Sequence, residues 1–309
     1  MSNAVVCLDI GGSFIKSGLS VHAGSVTPLA TVPMPVDSWQ GFCAQLLQLL
    51  QRLPVDAQSA LAISTAGLVA AASGEVYASN IPAFHRRCVA QELAILLKRP
   101  VFIANDADCF ALAESVSGRG AGERMVFAAI LGSGVGGALV IDGRIVSGAG
   151  EWGHGPITRT ELTVAGQRWS LPRIACACGQ KGCLDTFGGA RGMERLHQQL
   201  HHQKRNSKAI VADWHRGDSL ARQTIAIWCE LVSEPLGWLA NLTGAGRIVV
   251  GGGLASEPAL IALLDQRVRQ LMLRKLSTPL VLPGMFAENG GLIGASVLGH
   301  RADRVIATV

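Results

Sequence analysis

Apolar runs that end in glycine recur at three places along the chain, Ala4–Gly12, Met125–Gly134 and Arg247–Gly253. After the first two runs, strand-like sequence resumes at Ser17–Val21 and Ala138–Ile141. Two strand-like segments joined by a short glycine turn predict an antiparallel hairpin whose turn is exposed. We therefore expect one such hairpin near the start of the chain and another near its middle, as in two duplicated halves.

Helical periodicity fills the intervals between these strands. Ser38 is a candidate N-cap for a helix in which apolar residues recur at helical spacing, namely Phe42, Leu46, Leu49 and Leu53. Further helices are predicted from Asp106 onward, over Asp218–Leu242 with a bend at Pro235, over Ser256–Lys275 and over Gly294–Arg301. Strands that alternate with helices predict an α/β fold, and the glycine-rich stretch Gly118–Gly122 is the candidate domain boundary.

Composition narrows the possible partners. The 309 residues leave room for two domains, and 49% of them are apolar, which is enough for sizeable cores. The formal net charge of +5 comes without a stripe of Lys and Arg, so we expect no nucleic-acid partner. No segment reaches the ~18 apolar residues of a membrane-spanning helix. The N-terminus also lacks a secretory signal pattern, so we expect a cytoplasmic protein without membrane contact.

Glycine turns are the first candidate chemistry. In Asp9–Lys16, glycines let backbone N–H groups approach a phosphate, Ser13 adds a hydroxyl, and Asp9 could hold a hydrated Mg²⁺; a plain hairpin turn is the alternative. Gly132–Gly137 matches the dinucleotide pattern G-x-G-x-x-G, but a strand rather than a helix follows it, which argues against a dehydrogenase. With Gly251–Gly253 on a third strand, the turns predict a nucleotide held between two domains.

Three thiols lie within eight residues in the segment Cys176-Ala-Cys178-Gly-Gln-Lys-Gly-Cys183. Three thiolates are one ligand short of tetrahedral zinc, and His154, 22 residues before Cys176, is the best fourth candidate. Core packing is the alternative for the cysteines, and a satisfied core or capping histidine is the alternative for His154. Four protein ligands would make the zinc structural, because no coordination position is left for a reactive water.

Asp106 follows the apolar run Val101–Ala104 and Asn105 and starts a predicted helix. One interpretation is a helix N-cap. The other is a general base that takes the proton of a sugar hydroxyl as this hydroxyl attacks the γ-phosphate of ATP. The two roles are compatible, because a helix N-terminus keeps a carboxylate ionised.

In this order, the segments resemble the ROK family of bacterial sugar kinases and repressors over essentially the full length. The matching segments are Leu8–Lys16, Asn105–Glu114, Leu131–Val140, Gly150–His154, Cys176–Asp185 and Val249–Ala255. The Glu-x-Gly-His motif followed by Cys-x-Cys-Gly-x-x-Gly-Cys is highly specific to that family. The resemblance implies a two-domain actin/hexokinase-like (ribonuclease H-like) ATPase fold with the active site in a cleft between the domains. We expect domains at 1–119 plus a C-terminal helix at about 294–309, and at 120–293 with the zinc loop.

The resemblance also implies roles for individual residues. Asp106 matches the catalytic base at the sugar, and the other expected sugar ligands are Asn80, Asn105, Glu151, His154 and Asp185. The expected contacts to ATP and Mg²⁺ are Asp9, Gly11, Gly12, Ser13, Lys16, Gly132, Ser133, Gly134, Gly252 and Gly253. The expected structural zinc ligands are His154, Cys176, Cys178 and Cys183. Asp185 departs from the family, which usually has Glu at this position.

The substrate class follows from finer resemblances. The long insert between His154 and Cys176 resembles the N-acetylglucosamine kinases of the family, and Ala62–Val69 with Asn80 resembles its N-acetylmannosamine kinases. We expect ATP-dependent phosphorylation of the 6-hydroxyl of an N-acetylhexosamine, with N-acetyl-D-glucosamine first. N-acetylmannosamine and glucose are the alternative substrates, and a catalytically weak sugar sensor is the alternative class. The first glycine strand begins at Ala4, so we expect no DNA-reading domain, and family membership implies a homodimer.

Overall fold

The computed structural model describes residues 4–56, 58–146, 150–155 and 160–302. These residues fall into two compact units. The first unit is drawn from Met1–Gly122, Gly143–Gly148 and Phe286–Val309, and the second from Glu123–Asp142 and Ala149–Met285. This division does not test the domain boundaries expected from the sequence, which stay a prediction. The C-terminal helix expected at about 294–309 begins earlier, at Gly290, and the residues after 302 lie outside the described part of the chain.

The elements follow one another in an alternating order. The strands are β1 Val5–Ile10, β2 Phe14–His22, β3 Ser25–Pro33, β4 Ala60–Thr65, β5 Leu68–Val69, β6 Val76–Tyr77, β7 Val101–Asn105, β8 Met125–Leu131, β9 Val135–Ile141, β10 Arg144–Ile145, β11 Glu161–Val164, β12 Gln167–Ser170, β13 Arg247–Gly251 and β14 Val281–Pro283. The helices are α1 Trp39–Arg52, α2 Val89–Leu97, α3 Asp106–Ser117, α4 Asp185–Gly188, α5 Ala190–His201, α6 Ser207–His215, α7 Ser219–Thr243, α8 Pro258–Leu271 and α9 Gly290–Ala302.

The first unit is built on a five-stranded sheet in the order β3-β2-β1-β4-β7. Strands β1 and β2 form the expected antiparallel hairpin, in which Asp9 pairs with Lys16. Strands β1, β4 and β7 are parallel. Helix α9 packs against β1, β4 and α3, while Phe42 of α1 stacks edge-to-face on Phe84 in a second buried cluster. The parallel strands therefore present their carboxyl ends at one edge of a supported sheet.

The second unit repeats this plan. Strands β8 and β9 form the second expected hairpin, and β13 lies parallel to β8 on one side and to β14 on the other. The core of this unit centres on α7, whose Trp228 is fully buried and donates its Nε1–H to the Gly188 carbonyl at 2.9 Å. In the described part of the chain, no helix combines the length and the apolarity that a bilayer crossing requires.

Most helix boundaries agree with the sequence patterns. The Ser38 hydroxyl accepts the Gly41 N–H at 3.0 Å as the N-cap of α1, as expected. Helix α7 continues through Pro235, and the bend expected there stays a prediction. The helix expected over Ser256–Lys275 is wrong at both ends. A 3₁₀ turn occupies Gly253–Ser256, and α8 begins at Pro258, because proline fits the first helical position, where no N–H donor is needed.

Candidate active site

Chemistry-bearing residues of the first unit gather at the carboxyl edge of its sheet. The register pairs Asp9 of β1 with Ser64 of β4, and Thr65 of β4 with Asn105 of β7. Asp9 and Asn105 therefore lie two strands apart at the same edge of the sheet. Asp106 directly follows Asn105 in the sequence. Open α/β sheets bind their ligands at this edge, so the arrangement favours the site predicted from the sequence.

Asp106 is the first residue of α3 and not its N-cap, so the capping interpretation is wrong. Asn105 caps the helix, since its Oδ1 accepts the Asp108 N–H at 2.8 Å. The Asp106 carboxylate accepts the N–H of Ala107 at 2.9 Å and reaches solvent. Two neighbouring polar side chains are thus oriented by one helix end, and the amide group of Asn105 keeps its Nδ2 donors for a ligand.

Both carboxylates of this edge are perturbed. Burial raises the pKa of Asp106, the Ala107 N–H opposes this shift, and the charge of Asp9 adds to it. Burial likewise raises the pKa of Asp9, against the lowering effects of the Ser64 hydroxyl and of Lys16. The charge of Asp9 raises the cost of ionising Asp106, and a cation such as Mg²⁺ near both carboxylates would lower this cost.

The first glycine turn connects β1 with β2. The N–H of Gly11 donates to the Phe14 carbonyl at 3.0 Å, and Ser13 at the tip of the turn is exposed. A Cβ added to Gly12 would lie 3.3 Å from the Asn80 carbonyl oxygen, so the structure brings Asn80 to this turn. Lys16 follows on β2 and donates from Nζ to the Glu288 carbonyl at 3.3 Å.

The second glycine turn, Gly132–Gly134, connects β8 with β9 and is called the phosphate turn below. Gly252 lies directly against it, because a Cβ on Gly252 would be 2.5 Å from the Leu131 carbonyl carbon and 2.6 Å from the Gly132 nitrogen. Gly252 also has φ of +84°, where only glycine is at ease. The structure thus joins two of the predicted nucleotide segments. Gly253, the neighbour of Gly252, is exposed and has nothing near the position of its missing Cβ.

The four predicted zinc ligands converge in the second unit. His154 Nδ1 lies 3.6 Å from Cys176 Sγ, and Cys178 Sγ lies 3.6 Å from Cys183 Sγ. One ligand atom from each residue lies within 4.8 Å of the others. A tetrahedral ion with Zn–S of ~2.3 Å and Zn–N of ~2.0 Å separates two sulfurs by about 3.8 Å and sulfur from nitrogen by about 3.5 Å. The four side chains therefore fit zinc.

The surroundings of the cluster shift the pKa values of two of its thiols in opposite directions. The Gly155 N–H donates to Cys183 Sγ at 3.3 Å. A hydrogen bond from the backbone of Gln180 lowers the pKa of Cys178 to about 7, so this thiol ionises near neutral pH. Burial raises the pKa of Cys176 to about 11, so deprotonation of this thiol adds to the cost of metal binding. Zinc ligands must be deprotonated, so zinc binding here would release protons.

Glu151 and His154 form a pair beside the cluster. The His154 Nε2 lies 3.8 Å from a Glu151 carboxylate oxygen, while its Nδ1 points toward Cys176. Both side chains are exposed. One ring nitrogen is therefore directed at the metal position and the other, with the carboxylate, at solvent, where sugar hydroxyls could be bound.

Asp185 lies at the phosphate turn. Its Oδ1 accepts the Val135 N–H at 2.7 Å. Neither this bond nor the two that the start of α5 makes with the turn through Ala190 and Arg191 were predicted from the sequence. The pair Gly188-Gly189 before α5 was the available signal, since adjacent glycines permit close approach of two backbones.

The chain matches the model of the ROK family over residues 5–302 and belongs to that family. It is 31% identical over 301 residues to the N-acetyl-D-glucosamine kinase of Escherichia coli O9:H4 strain HS, covering 96% of this chain and 98% of that enzyme.

Solved structures agree. A ROK hexokinase from Thermus thermophilus superimposes with a TM-score of 0.81 at 26% identity, covering 98% of this chain and 99% of that one. A ROK glucokinase from Streptomyces griseus in complex with glucose and AMPPNP has a TM-score of 0.70 at 23% identity, covering 95% and 98%. The fold is the actin/hexokinase-like ATPase fold expected from the sequence.

Proposed function

We propose that this ROK-family protein is an ATP-dependent sugar kinase that phosphorylates the 6-hydroxyl of an N-acetylhexosamine, with N-acetyl-D-glucosamine first. The position of Asp106 carries the kinase proposal. It is a carboxylate at the first position of α3, at the carboxyl edge of the sheet, with a second carboxylate nearby. The full-length similarity to an N-acetyl-D-glucosamine kinase supports the sugar class.

In the proposed mechanism, Asp106 accepts the proton of the 6-hydroxyl as this oxygen attacks the γ-phosphorus of ATP, and ADP leaves. Burial raises the pKa of Asp106, which makes the carboxylate a better proton acceptor than an ordinary aspartate. Asn105 Nδ2 would orient the same hydroxyl region. The remaining task is to hold the phosphates, which suits the exposed N–H groups of the two glycine turns.

Glu151 and His154 are the proposed ring-orienting pair. A carboxylate and an imidazole 3.8 Å apart can bind two neighbouring hydroxyls of one sugar. Bound zinc would supply folding free energy and a fixed ring orientation for His154, since all four candidate ligands come from protein. Asn80 beside the first glycine turn and Asp185 beside the second are the other proposed sugar contacts. A homodimer stays a prediction.

The test is a comparison of kcat/KM at fixed ATP for N-acetylglucosamine, N-acetylmannosamine, glucose, mannose, fructose and allose, measured by ADP release. We expect an acetamido sugar to have the highest value. The analogue 6-deoxy-N-acetylglucosamine should bind more weakly than the parent sugar and should not be phosphorylated, because it lacks the hydroxyl that Asp106 would bind. A site that hydrogen-bonds a hydroxyl rejects analogues that lack it far more strongly than analogues with a small change in size.

The outcomes separate the levels of the proposal. If the kcat/KM for glucose or fructose exceeds that for both acetamido sugars tenfold, the proposed substrate class is wrong but the protein is still a sugar kinase. If one sugar binds by calorimetry and none releases ADP, the protein is a sensor. Phosphorylation of the 6-deoxy analogue would exclude the 6-hydroxyl as the acceptor.

A further inference from the structure

The phosphate turn is held by the chain segment 185–191, which follows the last cysteine of the metal cluster. Three backbone groups of the turn region are engaged. The Val135 N–H donates to Asp185 Oδ1 at 2.7 Å. The Gly132 and Ser133 carbonyls accept the N–H groups of Ala190 at 2.8 Å and of Arg191 at 3.3 Å. Asp185 supplies the only side chain among these three bonds.

The fit leaves no spare volume between this carboxylate and the turn. A Cβ on Gly134 would lie 2.3 Å from Asp185 Oδ1. A Cβ on Gly189 would lie 2.6 Å from the Gly134 carbonyl oxygen. The two glycines therefore let the segment and the turn approach within hydrogen-bonding distance. A larger residue at Gly189 would meet the backbone of the turn and push the two apart, whereas one at Gly134 would displace the Asp185 carboxylate.

Asp185 is also tied to both ends of the metal cluster. It stands two residues after Cys183, and its own N–H donates to the carbonyl of Gly153, the residue before His154, at 3.0 Å. Thr186 fixes the same corner, because its hydroxyl donates to the Cys183 carbonyl at 2.7 Å. One short segment thus joins the metal cluster to the turn.

We infer that Asp185 is a positioning residue for the nucleotide, which acts by holding the phosphate turn through its Oδ1. No described residue accepts a hydrogen bond from the N–H of Ser133 or Gly134, so these donors are available to phosphate oxygens. These donors belong to the two peptide groups that precede the Gly134–Val135 peptide. Asp185 holds the N–H of that peptide, while its carbonyl accepts the Gly132 N–H at 3.1 Å, so loss of Asp185 removes one of its two anchors. The inference rests on the proposed kinase function and adds to the sugar contact predicted for Asp185, because the second carboxylate oxygen remains for a ligand.

The variants Asp185→Asn and Asp185→Ala separate positioning from charge. The asparagine Oδ1 can still accept the Val135 N–H, whereas alanine leaves this donor without a partner. We expect Asp185→Ala to raise the KM for ATP and the Kd for AMPPNP by about 10- to 100-fold, as for the loss of a hydrogen bond to a charged group. Asp185→Asn should stay within about threefold of wild type for the nucleotide, whatever it does to the KM for the sugar.

Two further readouts distinguish positioning from general damage. Hydrogen exchange of a peptide covering 131–137 should be faster in Asp185→Ala and unchanged in Asp185→Asn. Asp218→Ala is the matched control, since it also removes a carboxylate that accepts a backbone N–H, that of Ala221 at 2.8 Å. It should lower Tm without changing the KM for ATP.

The inference is overturned if Asp185→Asn loses as much nucleotide affinity as Asp185→Ala, or if Asp185→Ala changes only the sugar parameters. Either result leaves the kinase proposal standing, because wild-type turnover is measured separately. Wild-type protein that binds no AMPPNP and phosphorylates no sugar overturns the kinase proposal and, with it, a nucleotide role for Asp185.

Discussion

Replacement of Gly252 by alanine should impair nucleotide use while sugar binding persists. Gly252 has φ of +84° and ψ of 176°, a conformation that is essentially confined to glycine and costs other residues of the order of 1–3 kcal/mol. An added Cβ would lie 2.5 to 2.6 Å from backbone atoms of Leu131 and Gly132. Backbone atoms cannot rotate away as a flexible side chain can, so the phosphate turn itself must shift.

The size of the shift sets the expected effect. Ordinary carbon contacts begin near 3.4 Å, so the turn has to move by roughly 0.8 Å to admit the methyl group. A misplacement of about 1 Å in a positioning group costs of the order of 10²-fold in rate. We expect kcat/KM for ATP to fall about 10- to 100-fold, with the Kd for the sugar within about threefold of wild type.

The assay is steady-state kinetics with varied ATP at saturating sugar, together with sugar calorimetry. Gly244→Ala is the matched control, because Gly244 also has positive φ, at +70°, but nothing lies within 4 Å of its missing Cβ. The control should lower Tm and leave the ATP parameters unchanged. Equal loss of kcat/KM for ATP in both variants would refute the collision argument, and so would a Gly252→Ala enzyme within threefold of wild type.

Three other variants test separate features. Asp106→Asn should lower kcat by about 10²–10⁴-fold. The variant should not lower Tm at pH 7. A carboxyl whose pKa is raised by burial stabilises the fold when it is protonated, and this contribution is lost as pH rises through the folded pKa. A variant that keeps more than a tenth of wild-type turnover contradicts the assignment of Asp106 as the base. For the same reason, wild-type kcat should decline on acidification at a higher pH than an ordinary aspartate predicts. Cys178→Ser should lose zinc in metal analysis and lower Tm, and full activity without stoichiometric zinc in the wild type contradicts the site. Asp265→Ala should lower the free energy of unfolding in urea by about 2–6 kcal/mol, since the buried N–H groups of Leu280 and Val281 lose their acceptor; a loss below about 1 kcal/mol refutes this.

Local signals account for what the sequence could predict of the fold. Both hairpins were predictable because glycine turns and β-branched strands are short-range patterns, and the Ser38 cap lies next to the helix that it starts. Asp106 was a candidate for the N-cap, but it is the first helical residue, one position further along the helix. Asn105 and Asp106 are both capping residue types, and only the backbone of the first turn decides which one accepts the Asp108 N–H.

Contacts between segments far apart in sequence account for what could not be predicted. The polar stretch that begins at His197 is typical of a solvated helix end, yet His197 is 3% exposed and its Nδ1 lies 2.9 Å from Thr224 Oγ1, a partner 27 residues away. The candidate zinc cluster could be predicted because its thiols are close in sequence. The hydrogen bonds from Ala190 and Arg191 to the phosphate turn were harder to predict, because they join backbone groups. The adjacent glycines Gly188 and Gly189 indicate that a close approach is possible, but not which segment approaches.

The two glycine turns share a plan but differ in their support. In the first unit, the Ser13 carbonyl accepts the Met34 N–H at 3.0 Å, so the neighbouring strand β3 completes the turn. In the second unit, the segment that follows Cys183 supports the turn. Among the described residues, a group of side chains that could hold a metal ion occurs only beside this segment. A structural metal is usually explained by the stability that it adds to a small loop. Here the loop also carries His154 at one end and supports the phosphate turn at the other. Zinc bound to these four residues would therefore fix a proposed sugar ligand and a proposed nucleotide site together, without needing an open coordination position.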